Sequence, residues 1–268
     1  MKGSGAMILA VDVGNSNTTV GLFDLAGKLM FRSTLETSRS KTRDQCAIDL
    51  LGVFRLYDAE VREVTGAILS SVVPPLTAVF ADTIGRLTGR PPLVVGPGIK
   101  TGLNIKAEIH DQLGSDIVAY SVAAMADYES PIAAIDMGTA TSLSLIRGSV
   151  YEGCIIMPGL TLALEAMSER AAALPPISIE GHAQVELLGR TTEEAMRSGV
   201  LFGHASMVDG MLDRIEERIG QKLTVVATGG NAPRILCYCR HEIQYDADLV
   251  MKGLYLLYQK NTRKPRRT

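Results

Sequence analysis

Apolar and small polar residues alternate along 8–35, with breaks at Gly14-Asn15 and Ala26-Gly27, which predicts three strands joined by tight turns. Over 43–57 the spacing becomes helical, with Ala47, Leu50, Leu51 and Phe54 on one face. Ala67–Val73 is a short apolar run stopped by Pro74-Pro75, a helix is expected over 76–88, and Pro92–Val95 reads as a strand ended by Gly96-Pro97-Gly98. A helix rich in Val and Ala follows around 113–127. The pattern then restarts. Strands are expected at 131–136, 141–146 and 150–156, with turns at Gly138 and Arg147-Gly148. Pro158-Gly159 opens a helix through Met167, helices follow at about 191–218, 223–228 is a strand ended by Gly229-Gly230, and 248–260 forms a last helix. A meander followed by mixed helices and strands, performed twice, predicts an α/β protein of two similar lobes.

The restart repeats chemistry as well as pattern. Ile8-Leu-Ala-Val-Asp12-Val-Gly14-Asn15-Ser16-Asn17-Thr18 and Ile132-Ala-Ala-Ile-Asp136-Met-Gly138-Thr139-Ala140-Thr141 each run from an apolar strand through an acid to a Gly turn with hydroxyl or amide side chains. An acid at a strand end can hold a metal ion, and a Gly-rich hairpin lets backbone N–H groups approach phosphate oxygens. Two copies facing one another would form a central cleft that clamps a nucleotide triphosphate, the arrangement of an ATP-dependent phosphotransferase.

Composition narrows the alternatives. The 268 residues are 46% hydrophobic with a formal net charge of −2, enough for substantial cores and no electrostatic case for nucleic acid or a membrane surface. No run approaches the roughly 18 apolar residues of a membrane span, and no signal-peptide layout is present. Residues 1–6 read as a cloning scar before a natural start at Met7, and 263–268 as a solvated basic tail. Cys237, Cys239 and His241 are a fragment of a metal cluster, but the second close pair a zinc site needs is missing, so Cys46, Cys154, Cys237 and Cys239 are expected as free thiols in a cytoplasmic protein. The four histidines form no catalytic constellation.

Ordered along the chain are Asp12-Val-Gly-Asn-Ser, Ser70-Ser-Val-Val-Pro74, Val95-Gly-Pro-Gly-Ile-Lys-Thr-Gly102, Gly114-Ser-Asp116, Asp136-Met-Gly-Thr-Ala-Thr141, Pro158-Gly159, Ala171-Ala-Ala-Leu-Pro175, Thr192 with Ser198-Gly199, and Thr228-Gly-Gly230. With this set the chain resembles type III pantothenate kinases over essentially its whole length. The resemblance implies the duplicated ribonuclease H-like lobes of the acetate kinase, sugar kinase, Hsp70 and actin superfamily, with lobes at 7–128 and 129–262. It implies ATP-dependent phosphorylation of pantothenate to 4'-phosphopantothenate, the first step of coenzyme A biosynthesis, by a homodimer that needs Mg²⁺ and a monovalent cation, K⁺ or NH₄⁺.

The implied roles follow residue by residue. Asp12 holds Mg²⁺, with Gly14, Asn15, Ser16, Asn17 and Thr18 at the phosphates; a turn-capping Asp is the bland alternative. Gly138, Thr139 and Thr141 form the second clamp, with Asp136 beside the monovalent cation. Asp116 is the general base, flanked in the acceptor pocket by Gly114 and Ser115; alternatively it is a helix-starting Asp favoured by the dipole. Thr192 contacts pantothenate across the dimer, although Thr191-Thr192-Glu193-Glu194 also reads as a helix cap. Gly229 and Gly230 line the adenosine pocket or simply make a turn. The apolar helical stretch Ala195–Met211 is expected to serve the dimer.

The acceptor motif departs from the family. Ala107 stands for the usual Tyr, Ile109-His110 for Asn-Pro, and Ile117 for an Arg whose guanidinium meets the pantothenate carboxylate. Losing a charged hydrogen bond costs about 1.5–3 kcal/mol, roughly 10- to 150-fold, unless Lys106 or Arg190 compensates. A divergent nucleotide-binding paralogue with an accessory role, and a kinase for another small acceptor, are the competing readings.

Overall fold

The structure, a computed structural model, describes residues 5–105, 113–179 and 185–262. It divides into two compact units, one built from residues up to Ala126 together with those from Asp248 onward, the other from Asp127–Ala247.

The first unit opens with the meander β1 (Met7–Val13), β2 (Asn17–Asp24) and β3 (Leu29–Glu36). There follow α1 (Arg43–Leu56), a 3-10 turn, β4 (Val64–Ser71), α2 (Pro74–Thr88), the short strands β5 (Leu93–Val94) and β6 (Asn104–Ile105), and α3 (Ser115–Asp127). The sheet runs β3-β2-β1-β4-β5, with β4 parallel to β1. Period-2 alternation along β1 divides its side chains between two cores. Leu9, Val11 and Val13 pack with Leu50, Phe54, Leu76 and Phe80 of α1 and α2. Ile8 and Ala10 pack with Val118 and Val122 of α3 and with Met251 and Leu254 of the last helix.

On α1 the buried face is Cys46, Leu50, Val53 and Phe54, whereas Leu51 is exposed. The expected face shares Leu50 and Phe54 with it, while Cys46 and Val53 replace Ala47 and Leu51, a turn of the stripe smaller than the ~100° of one residue. The sheet takes the i, i+4, i+7, i+8 stripe because Cys46 is as apolar as Ala47 and fits the slot. Thr42 and Gln45 form a capping box that fixes the start of this helix.

The second unit repeats the plan with β7 (Ile132–Met137), β8 (Ala140–Arg147), β9 (Val150–Pro158), α4 (Leu160–Arg170), α5 (Thr192–Ile219), β10 (Thr224–Thr228), the short helix α6 (Ala232–Leu236) and β11 (Gln244–Tyr245). Its strands run β11-β10-β7-β8-β9, with β10 parallel to β7. Ala133, Ile135 and Met137 face a core made with Leu160, Val200, Val208 and Leu212. α5 is one 28-residue helix where several pieces were expected. Gly199, Gly203 and Gly210 each weaken it by about 1 kcal/mol, and burial of Met196, Val200, Leu201, Ala205, Val208, Leu212 and Ile215 along one stripe offsets that.

The last helix, α7 (Leu249–Thr262), packs on the first sheet, with Tyr255 stacked on Phe23 at a centroid distance of 4.9 Å. A second lobe running to 262 includes a helix that the contacts assign to the first unit, because the α3 side of that sheet buries its apolar face only once α7 covers it. Among the described residues no helix is long and apolar enough to cross a membrane.

Candidate functional site

Each unit places an acid at the same point of its sheet. In the first, Asp12 near the end of β1 pairs with Thr19 of β2 on one side and with Ser70 of parallel β4 on the other. In the second, Asp136 near the end of β7 pairs with Ser142 of β8 and with Thr228 of parallel β10. The inner strand is parallel to its neighbour because a crossover carries the chain from the meander to the other side of that strand, so both acids sit at carboxyl ends of parallel strands, where α/β sheets bind ligands.

The β1–β2 hairpin is closed by Gly14 N–H donating to Asn17 O at 2.9 Å, and its tip is held to the chain after β3 by Thr37 N–H donating to Ser16 O at 2.9 Å. Asn15, Ser16 and Asn17 are exposed at the tip. Thr18 is buried, and its hydroxyl is hydrogen-bonded to that of Thr37 at 2.8 Å, so it stiffens the hairpin from beneath.

In the β7–β8 hairpin, Gly138 N–H donates to Ala140 O at 3.1 Å, and Thr139 O accepts from Gly159 N–H at 3.2 Å. Thr139 is exposed. The Thr141 hydroxyl is buried and has no hydrogen-bond partner among the described residues. An orphaned buried hydroxyl costs about 1–3 kcal/mol, which a ligand oxygen or cation would recover. Gly229 follows β10 with φ +95, and a Cβ there would lie 2.5 Å from Asp136 Oδ1 and 2.6 Å from Met137 C. Only Gly lets this turn pass over the strand end, so Gly229 sits against the acid itself. Asn231, which no sequence motif singled out, donates its Nδ2 to Gly138 O at 3.1 Å and its N–H to Met137 O at 3.0 Å. The amide following a Gly-Gly turn was the available signal.

Carboxylate, hydroxyl and carbonyl oxygens are the donors hard cations take. Asp12, and Asp136 with the orphaned Thr141 hydroxyl in its hairpin, therefore each offer oxygen donors of the kind a hard cation takes.

Asp116 occupies the first turn of α3. Burial pushes its carboxyl up from 3.8, opposed by backbone N–H donors, with Ile117 N–H at 2.8 Å from Oδ1. A Cβ on Gly114 would lie 2.4 Å from Asp116 Oδ1, so the Asp116 carboxylate folds back over the residue two before it and packs close to that glycine. The hydroxyl of the buried Ser115 accepts from Ser70 Oγ at 2.9 Å and from Ser71 N–H at 3.0 Å. Ile117 is itself buried, 8% exposed. Lys106, Ala107, Ile109 and His110 lie outside the described residues.

Thr191 is the N-cap of α5, in a capping box with Glu194. Thr192 is therefore not needed as the cap, and it lines an open surface cavity of about 920 Å³ with Ser168, Leu174, Pro175 and Pro176. The apolar residues of Ala195–Met211 mostly face the unit's own core, and the small residues Ala195, Gly199, Gly203 and Ser206 lie on the exposed face of the helix.

Cys237, Cys239 and His241 do not converge. His241 Nδ1 meets the buried Asp209 at 3.1 Å and Nε2 meets Asp213 at 3.4 Å. Burial, then Asp209 and Cys237, push the Cys239 thiol up to about 12. Asp213, Glu216 and His241 bring ligand atoms within 4.8 Å of one another, but Lys222 and the Leu223 N–H already hold Glu216 in an ion-pair network. All four cysteines are free.

The sheet order, the duplicated acid-bearing hairpins and the Gly turn define a duplicated ribonuclease H-like protein of the actin-like ATPase class. Solved structures agree on that fold. The chain is similar to a conserved putative Baf family transcriptional activator from Campylobacter jejuni (TM-score 0.58, 19% identity, 94% of this chain and 98% of that one). It is also similar to the activator of the 2-hydroxyisocaproyl-CoA dehydratase from Clostridium difficile with bound ADPNP (TM-score 0.57, 12% identity, 97% and 99%). Sequence resolves the family. The type III pantothenate kinase model matches residues 8–214. The chain is 38% identical over 258 residues to a type III pantothenate kinase of Brevibacillus brevis, covering 95% of this chain and 99% of that protein. It is 37% identical to that of Listeria monocytogenes serovar 1/2a, covering 95% and 98%. The chain belongs to the type III pantothenate kinase family and is a kinase.

Proposed function

We propose that this chain transfers the γ-phosphoryl group of ATP to the primary hydroxyl of pantothenate, giving ADP and 4'-phosphopantothenate, the entry step of coenzyme A biosynthesis. The observation that carries the reading is the paired register, in which Asp12 faces Ser70 in one unit and Asp136 faces Thr228 in the other. Family membership supplies the substrate.

Asp12 is the carboxylate that holds Mg²⁺. When bound, Mg²⁺ neutralises charge on the β- and γ-phosphates, the chief requirement of phosphoryl transfer. The exposed hairpin residues Asn15, Ser16 and Asn17 bind phosphate oxygens, as do Thr139 and Thr141 with the Gly138 turn. Asp136 takes the monovalent cation, K⁺ or NH₄⁺, and Gly229-Gly230 opens the backbone beside the adenosine.

Asp116 accepts the proton of the pantothenate hydroxyl. Its burial, which raises its basicity, supports that role, since a general base works best with a pKa drawn towards the working pH. Ile117 offers no hydrogen bond to the pantothenate carboxylate, so binding of that end falls to other residues.

The active species in this reading is a cytoplasmic homodimer with no nucleic-acid or membrane partner, in which Thr192 reaches pantothenate. Support for the dimer comes from the outer face of α5. Ala195, Gly199, Gly203 and Ser206 recur at i, i+4, i+8 and i+11 and are exposed, and a Cβ on either Gly would meet nothing within 4 Å among the described residues beyond the adjoining helix backbone and chain neighbours. Small side chains let helices approach closely. The test is mass spectrometry of pantothenate incubated with the pure protein, ATP and Mg²⁺, in K⁺ and in Na⁺. A product 80 Da heavier that forms preferentially in K⁺ is expected; an unchanged pantothenate peak in both salts overturns the reading.

A further inference from the structure

We infer that Ser70 is a positioning residue for Asp116, tying the proposed base to the strand that neighbours the metal-holding acid. The inference rests on the reading of Asp116 as the general base.

Three observations within the first unit lead to it. Ser70 is 0% exposed near the end of β4, and its hydroxyl donates to Ser115 Oγ at 2.9 Å. Ser115 Oγ also accepts from Ser71 N–H at 3.0 Å, so the first residue of α3 is fastened to β4 at two adjacent points. Ser70 is the register partner of Asp12 in the parallel β1–β4 pair, and Val72 N–H donates to Val13 O at 3.0 Å just beyond. The path from acid to base is therefore one strand spacing, one hydroxyl–hydroxyl bond and one peptide bond, without a flexible link.

The chemistry explains why a hydroxyl stands in a strand that is otherwise apolar where buried. β4 reads Val-Thr-Gly-Ala-Ile-Leu-Ser-Ser, and Ile68 and Leu69 before Ser70 are fully buried. An apolar residue at 70 would pack there but could not orient the start of α3. General-base catalysis depends on geometry to within fractions of an ångström, and a displacement of about 1 Å can cost about 100-fold. In the second unit the register equivalent is Thr228, which is followed by the Gly turn and has no helix start hydrogen-bonded to its hydroxyl among the described residues. The repeated hydroxyl thus has a duty in the first unit that its counterpart lacks.

The test is a double-mutant cycle between Ser70→Ala and Asp116→Asn, with steady-state kinetics and circular dichroism. For Ser70→Ala we expect kcat to fall about 10- to 100-fold, KM for ATP to stay within about twofold, and Ser70→Thr to restore part of the loss. On the Asp116→Asn background Ser70→Ala should cost little more, because the group it positions is gone. Ser70→Cys keeps the volume with a weaker donor and should lower kcat in the same sense if the Ala variant does not fold. Wild-type kcat in a folded Ser70→Ala or Ser70→Cys protein, or a loss that adds in full on the Asn background, overturns the inference. Wild-type activity of Asp116→Asn itself would instead sink the general-base reading.

Discussion

The two units use one plan, and their differences divide the labour. Both put an acid at the end of an inner strand, Asp12 or Asp136, beside a hydroxyl on the parallel neighbour, Ser70 or Thr228. Beyond that neighbour they part. The first unit continues through Val72-Val73 into Pro74 and α2, and its hydroxyl is bound to the start of α3, where Asp116 sits. The second continues through Gly229-Gly230 to Asn231, whose amide braces the hairpin that holds Gly138. In the proposed reading, one copy of the repeat supports a base, and the other is an open turn where backbone can approach a ligand. Duplication provides two similar acid-bearing hairpins; the differences lie in the residues just after the crossover strand.

Substitutions that treat the units differently can break this comparison. The largest effect is expected for Asp116→Asn, a fall in kcat of about 10²- to 10⁴-fold with ATP binding kept, read by phosphopantothenate formation and ATP titration. Next come Asp12→Asn and Asp136→Asn, each about 10²- to 10³-fold, with opposite rescue. Added Mg²⁺ should recover part of the first loss and added K⁺ part of the second; the reverse pattern would exchange the metal assignments. Ile117→Arg is expected to lower KM for pantothenate by about 10-fold or more by restoring a carboxylate partner, while lowering Tm because position 117 is buried. Gly229→Ala should destabilise by about 1–3 kcal/mol in a denaturant titration and raise KM for ATP, since φ +95 and the Asp136 carboxylate leave no room for a methyl group.

The smallest effect is on stability. Burial raises the Asp116 pKa, so the folded state keeps its proton to higher pH than the unfolded chain does. The stability this contributes is present below the unfolded value near 3.8 and is lost as pH rises through the folded value. Above that value the buried carboxylate is a burden, and Asp116→Asn should melt above the wild type at neutral pH, with the gap narrowing on acidification.

Much of this was legible in the sequence. Strict alternation and Gly turns gave away β1, β2, β7 and β8, and with them both acids and both hairpins. Interactions between distant segments were not legible. The pairing of Asp12 with Ser70 depends on the register of two strands more than 50 residues apart, and the Ser70–Ser115 bond on where α3 docks. The buried face of α1 keeps the expected Leu50 and Phe54 but takes Cys46 and Val53 in place of Ala47 and Leu51, because the apolar residues on either flank are close in hydropathy and only the packing chooses between them. Helices were expected over about 191–218, and the buried stripe of α5 makes them one. Thr191 and Thr192 were equivalent as caps until the helix start was fixed.

The central claim is that this protein is a pantothenate kinase whose chemistry runs through Asp116. The most direct test is single-turnover formation of phosphopantothenate by wild type and Asp116→Asn at equal ATP saturation. The account predicts product from the wild type and a rate at least about 100-fold lower from the variant, with ATP still bound. Equal rates, or no product from a wild-type protein that binds ATP, would contradict it.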